Sequence, residues 1–181
     1  MVSTMSIMTA QALDRAAVEQ VWTWLDTVPD PEIPVISVVD LGIVRDVAWE
    51  GDACVVTITP TYSGCPAMTV IREGIESALA AQGVDQVRVQ TQLAPAWTTD
   101  WMTPRGKASL AGYGIAPPAQ QVIDISGISR KAGRGAAALV VACPHCGSRH
   151  TRLVSQFGST ACKALYRCGE CKEPFDYFKA H

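Results

Sequence analysis

Histidine is scarce in this chain: three residues in 181, at positions 145, 150 and 181. None follows a glutamate by three residues, so the Glu-x-x-His pairs on which di-iron carboxylate sites are built are missing. There is no Gly-rich dinucleotide-binding loop either. Neither an oxygenase centre nor a nicotinamide-using reductase is written here. All three histidines lie within or beyond the C-terminal cysteine cluster, so a Cys–His dyad elsewhere would need one to fold back. No apolar run approaches the roughly 18 residues that span a bilayer, and the N-terminal stretch lacks a basic segment leading into an apolar core. Secretion and membrane insertion are therefore not expected. The net charge of −2 lacks the basic surplus that draws a protein to nucleic acid or anionic lipid. Arg130, Lys131 and Arg134 form the one basic cluster ahead of the paired cysteines.

What the chain does have is cysteine. Seven occur, and four form two Cys-x-x-Cys pairs. Without a secretory signal, that pattern implies metal binding in a reducing cytoplasm rather than disulfides.

The organisation expected is α+β: a small α-β-β-α-β-α domain with a mixed sheet over residues 9–114, a linker over 115–138 and a zinc-ribbon module over 139–181. Leu13, Ala17, Val21, Trp24, Leu25 and Val28 recur at helical spacing from about Thr9 to Val28. Pro29, Pro31 and Pro34 then force an extended loop. Alternation over Ile43–Trp49 and Cys54–Thr59, joined by Glu50-Gly51-Asp52, reads as a hairpin. A helix opens at Pro66 and buries Val70, Ile71, Ile75, Ala78 and Leu79 up to Gly83. The segment "VDQVRVQTQL" is a strand, and its short joint to that helix implies a parallel pair. A short helix follows from Pro104 to Leu110. The Pro- and Gly-containing stretch after residue 115 reads as a linker.

Cys143, Cys146, Cys168 and Cys171 have the spacing of two knuckles that complete a tetrahedron around one metal. Zinc is expected, although four thiolates also suit a single iron. So small a segment buries little core, and a bound metal supplies much of its folding energy. Such a site is closed, hence structural. His145 lies inside a knuckle but is not needed as a ligand. Cys162, in "STACKALY", is either a small buried filler or a spare ligand.

Cys65 stands apart in "TYSGCPAM". With Pro66 in the first helical position, its sulfur is expected beside a helix N-terminus, with a lowered pKa and a reactive or metal-binding thiolate. The alternative is inert packing in a tight loop. Asp30, Glu32 and Asp40 are either oxygen ligands and bases or caps of turns. Trp97 and Trp101 in "WTTDW" either dock a partner or pack on their own sheet.

The motifs "DPEIPVISVVDLGIV" and "TPTYSGCPAM" together resemble the SufT-like iron–sulfur assembly domain. With "APAWTTDWMTPRGK", "YGIAPP" and "CPHCGS…FGSTACKALYRCGECKEPFDYFK" added, the chain resembles the D subunits of bacterial phenylacetyl-CoA epoxidase systems from about Val28 to Lys179. That resemblance implies a non-catalytic accessory factor that helps assemble metal centres in the oxygenase or reductase components during aerobic phenylacetate catabolism. The alternative is a structural subunit held in the complex through its ribbon. It also implies that Cys65 is the residue tied to cluster work, with Thr61 and Asp40 in neighbouring motif positions. One cysteine is too few for a cluster, which takes about four protein ligands. A transient cluster at Cys65 would need a homodimer, a client thiol or Cys162 to complete it.

Overall fold

A computed structural model of the chain describes residues 16–118 and 140–180. The start of the expected first helix and most of the expected linker lie outside these residues. The first described helix, α1 (Val18–Leu25), buries Val21 and Leu25 on one face and is capped by Asp26. It ends earlier than periodicity suggests. The chain leaves the helix through bonds from the Thr27 and Val28 amides to Trp24 and Leu25, which still carry Val28 into the core.

The hairpin is present as β1 (Val44–Glu50) and β2 (Ala53–Ile58), antiparallel, with Gly51 at φ +60° in the turn. A bulge between Val44 and Asp46 breaks the alternation of β1, so Val44 and Val47 both face inward. The crossover helix α2 (Met68–Ala80) buries Ile71, Ile75 and Leu79, one residue per turn. It returns the chain to β3 (Val87–Thr91), parallel to β2. Strand β2 is central and buried from Cys54 to Ile58, whereas β3 is an edge. Arg72 on α2 donates from Nη1 to the Val89 carbonyl at 2.5 Å, satisfying a backbone acceptor on that edge.

After a 3₁₀ turn at Thr99–Trp101 comes α3 (Pro104–Gly112), its first turn capped by Thr103 Oγ1 accepting from the Gly106 amide at 2.9 Å. A second sheet then begins before the expected ribbon does. Strand β4 (Ile115–Ala116) pairs in parallel with β7 (Pro174–Phe178), which pairs with β6 (Lys163–Cys168), which pairs with β5 (Thr151–Ser155).

The stretch read as linker thus opens with a strand that the ribbon sheet takes up, and the two parts share a core. Alternation along β7 divides its side chains. Phe175 and Tyr177 join the ribbon's own cluster with Val141, Ala164 and Tyr166, while Phe178 joins Ile115, Trp97 and the N-terminal core. The paired tryptophans therefore pack on the chain itself instead of forming a separate docking loop. Trp97 is buried, donates from Nε1 to the Leu41 carbonyl at 3.1 Å and meets the Phe178 ring at 5.9 Å. Trp101 is half-buried under the Arg45 guanidinium, 3.5 Å above its ring.

Gly42 fixes how this loop lies on the domain. Its φ is +76°, and a Cβ there would sit 2.6 Å from the Trp101 carbonyl oxygen. Gly42→Ala is expected to cost about 1–3 kcal/mol through backbone strain alone. A lower urea midpoint at unchanged slope would record it.

Candidate functional site

The two Cys-x-x-Cys knuckles converge as their spacing requires. The sulfurs of Cys143, Cys146, Cys168 and Cys171 all lie within 4.8 Å of one another. Two of the separations are 3.7 Å (Cys143–Cys171) and 3.6 Å (Cys146–Cys168). A tetrahedral metal with metal–sulfur bonds of about 2.3 Å places its sulfurs about 3.8 Å apart, so this donor set fits such an ion.

The first knuckle closes through the Gly147 amide donating to the Cys143 carbonyl at 2.8 Å, with Gly147 at φ +74°. In the second, the Glu170 amide donates to Cys168 Sγ at 3.4 Å. Burial pushes the Cys168 thiol up, but the Cys171 and Glu170 amides and the Cys146 thiol outweigh it and bring it down to about 6. For Cys171 the Glu173 amide favours the thiolate, yet burial and the neighbouring sulfurs of Cys168, Cys146 and Cys143 push it up to about 12. One thiolate forms readily and opposes the next. Four ionise together only around a cation.

Cys65 lies in a different setting from the one its position suggests. Helix α2 starts at Met68 with Ala67 as N-cap, two residues later than Pro66 would imply, so Cys65 precedes the cap. The loop is held by the Cys65 amide donating to the Tyr62 carbonyl at 3.2 Å and by Gly64 at φ +88°. Half-buried, the thiol is pushed up by desolvation. The Ala67 amide and the Tyr62 hydroxyl pull it down, and the negative charges of Glu32 and Asp30 push it up again. The net direction is upward, opposite to the lowered pKa expected of an N-terminal thiol. The helix-end amides reach Cys65 too weakly to offset burial beside two carboxylates. Alkylation of Cys65 in the metal-loaded protein should therefore rise with pH through a midpoint above that of an exposed thiol. Iodoacetamide labelling across a pH series, read by peptide mass, measures it.

The Pro-rich loop that supplies these carboxylates is shaped by Asp30, whose Oδ1 accepts from the amides of Glu32 and Ile33, both at 2.9 Å. Asp30 is thus a turn cap as well as a neighbour of Cys65. Burial raises its pKa. Tyr62, which nothing in the spacing marks out, is a partner of Cys65. Desolvation first, then Cys65, and then the more distant charges of Glu32 and Cys162 push its phenol up to about 12.

Asp40 is committed elsewhere. Its oxygens accept from Thr103 Oγ1 at 2.5 Å and from Arg105 Nε at 2.7 Å, and Arg105 also grips Asp26. Thr61 is buried in the loop ahead of Tyr62. Among the described residues, then, Cys65 is gathered with Tyr62, Glu32 and Asp30, and Asp40 with Arg105, Thr103 and Asp26. His150 pairs with Glu170 at the surface, and the exposed His145 stands edge-on to Phe175.

Residues 18–90 match the family described as "Iron-sulfur cluster assembly protein", and residues 128–179 match the "PaaD zinc beta ribbon domain". Fold and thiols together define an iron–sulfur-assembly type of domain joined to a four-cysteine metal-binding ribbon. More narrowly, the chain belongs to the family of the phenylacetyl-CoA epoxidase D subunits. It is 50% identical over 165 residues to an Escherichia coli (strain K12) protein named as the D subunit of 1,2-phenylacetyl-CoA epoxidase, covering 90% of this chain and 92% of that one. It is also 34% identical over 100 residues to the Fe-S protein maturation auxiliary factor YitW of Bacillus subtilis, covering 54% of this chain and 97% of that protein. A Porphyromonas gingivalis protein of the same description is 38% identical over 87 residues, covering 47% of this chain and 82% of its own. Among solved structures, a DUF59 domain from Bacillus anthracis is 29% identical, with a TM-score of 0.48, covering 57% of this chain and 95% of that one.

Proposed function

We propose that this chain is a non-catalytic maturation factor for a phenylacetyl-CoA epoxidase system, acting in the reducing cytoplasm. Cys65 is the thiol that takes iron or an iron–sulfur cluster as cargo on its way to the oxygenase or reductase components. The observation that carries this reading is the setting of Cys65. It is half-buried on a strand-to-helix loop, flanked by Glu32 and Asp30, and outside the closed four-sulfur set. Its matching family and two of its relatives are described by iron–sulfur assembly or maturation.

Burial beside carboxylates suits a carrier. It keeps the thiol protonated and unreactive when empty, while a cation drives off the proton and is drawn to the negative charge. Zinc is the resident metal of the ribbon, held by Cys143, Cys146, Cys168 and Cys171. It supplies folding energy and offers no open position to cargo. Cargo is delivered when thiolates of the client displace those of this chain.

The test is to co-express the epoxidase components with the wild-type chain, with Cys65→Ala or with neither. Iron and acid-labile sulfide are then measured in the purified oxygenase and reductase. At least one client is expected to be under-loaded both without the chain and with Cys65→Ala. Full loading of both clients in all three cases would leave only a structural role in the complex.

A further inference from the structure

The ribbon sheet ends in a strand with one open side. Strand β5 pairs with β6 along one edge, and among the described residues no strand lies along the other. Such an edge presents a row of N–H and C=O groups to any extended chain that comes alongside. Three apolar side chains here stand in solvent: Leu153 is 40% exposed, Val154 50% and Phe157, just past the strand, 66%. A register shift between Leu153 and Ser155 leaves Val154 without a partner on β6, so two of them occupy adjacent positions.

The charge along this edge is of one sign. Arg152 and Arg167 are directly opposed across β5 and β6, which sets two exposed guanidinium groups on one face, an arrangement that repels. Among the described residues neither pairs with a carboxylate, and Arg167 Nε donates instead to the Lys172 carbonyl at 3.1 Å. Lys179 Nζ adds a third cation, 4.8 Å from the centre of the Phe157 ring. Residues 140–180 carry six lysines and arginines against three carboxylates. Two of those three are engaged, Glu170 with His150 and Asp176 with Ser159 and Lys163. Residues 16–118 have the opposite balance, twelve carboxylates against five lysines and arginines.

We infer that the β5 edge is the docking surface for the client. It takes a short extended segment of an oxygenase or reductase component in which carboxylates alternate with apolar side chains. The choice of client rests on the maturation reading, whereas the chemistry of the segment rests on β5 itself. Alternation along the strand sends Arg152 and its opposite, Arg167, to one face and Leu153, opposite Tyr166, to the other. A strand added beside β5 meets guanidinium on one face and aliphatic carbon on the other, and an acidic–apolar alternation matches both. The irregularity at Val154 interrupts the ladder and keeps the added segment short. Pairing the edge with a second copy of itself would bring two arginine pairs together, which disfavours a homodimer here. A phosphate backbone would answer the cations but leave Leu153 and Val154 uncovered.

The experiment titrates the full-length, zinc-loaded protein with the purified oxygenase and reductase components, each at low and at moderate salt. One component is expected to bind. Phe157→Ala and Arg152→Glu should each weaken that binding about tenfold or more, and Arg152→Glu should also flatten its salt dependence. Leu93→Ala, which truncates a comparably exposed side chain on the N-terminal domain, should bind like wild type. Unchanged zinc content shows that each variant keeps its ribbon.

Hydrogen exchange read by mass spectrometry needs no variant. Strand addition should slow exchange of the amides of residues 151–155 about tenfold or more in the complex, and contact through side chains alone would not. A component that binds without protecting β5, and that ignores Phe157→Ala and Arg152→Glu, overturns the surface and leaves the maturation reading standing. If neither component binds wild type, the surface fails, and the loading experiment with Cys65→Ala decides the maturation reading by itself. An equally variant-sensitive complex with a mixed-sequence single-stranded oligonucleotide would reassign the edge to nucleic acid and overturn the inference. Self-association in sedimentation that Phe157→Ala abolishes would overturn it in favour of a second copy.

Discussion

Removing the ribbon metal is expected to unfold residues 140–180 and to expose one wall of the N-terminal core with them. The ribbon's own cluster consists of Ala116, Val141, Cys143, Ala164, Tyr166, Cys168, Phe175 and Tyr177, so two of its buried members are metal-binding cysteines. Short strands around so small a core do not offset the entropy of ordering them. Structural zinc contributes about 10–16 kcal/mol of apparent binding energy in comparable small domains, and that energy is folding energy. Without the ion, the four sulfurs face the conflict seen at Cys168, drawn down to about 6, and Cys171, driven up to about 12.

The pH dependence follows from the same conflict. Bound metal requires four thiolates, so protons compete with it, and metal should be lost as pH falls. Chelation, or Cys168→Ser, should open the segment to limited proteolysis and shift tryptophan emission as Phe178 leaves Trp97. Zinc release followed with a chromogenic chelator should coincide with both changes. A chelated protein that still protects residues 140–180 from protease would show that the strands hold without the ion.

What could be read from the sequence is what local pattern controls. The hairpin was legible because alternation and Glu50-Gly51-Asp52 are neighbours in the chain. Helix α2 was legible from Ile71, Ile75 and Leu79, and the metal knuckles from their two-residue spacing. The pairing of β4 with β7 was not. It joins Ile115 to Asp176 across a long interval, and a two-residue strand has no period of its own. Trp97 could not be assigned for a similar reason. An aromatic in a loop reads the same whether it meets a partner or Phe178 from the other end of the chain. The state of the Cys65 thiol turned on burial and on Glu32 and Asp30, which reach it from another loop, and neither effect is visible in "SGCPA". Burial of Cys162 was one of the two readings its sequence allowed, but that it packs with the N-terminal core was not visible, because its neighbours in sequence belong to the ribbon.

Phe178→Ala is expected to cost about 3–5 kcal/mol, the range for truncating a buried aromatic. The ring is 1% exposed at the end of β7 and closes the N-terminal core beside Ile115, Trp97 and Cys162. Its tilted contact with Trp97, at 5.9 Å and 58°, adds coupling that Trp97→Ala should also remove. The double variant should therefore fall short of the summed single losses by about 0.5–1.5 kcal/mol.

The loss should also be unequal across the molecule. Phe175 and Tyr177 point into the ribbon's own cluster, so the metal site and its strands survive in Phe178→Ala while the shared core loosens. In wild type, urea unfolding followed by zinc release and by far-ultraviolet circular dichroism should give one coincident transition. In Phe178→Ala the transitions should separate. Coincident transitions with a loss below about 1 kcal/mol would mean that the ribbon merely rests on the domain. The distinction bears on function because Phe178 belongs to the core against which Cys65 packs. If the two halves unfold as one, the ribbon metal also governs the stability of the core beneath the Cys65 loop, and the structural ion becomes a condition for carrying the cargo.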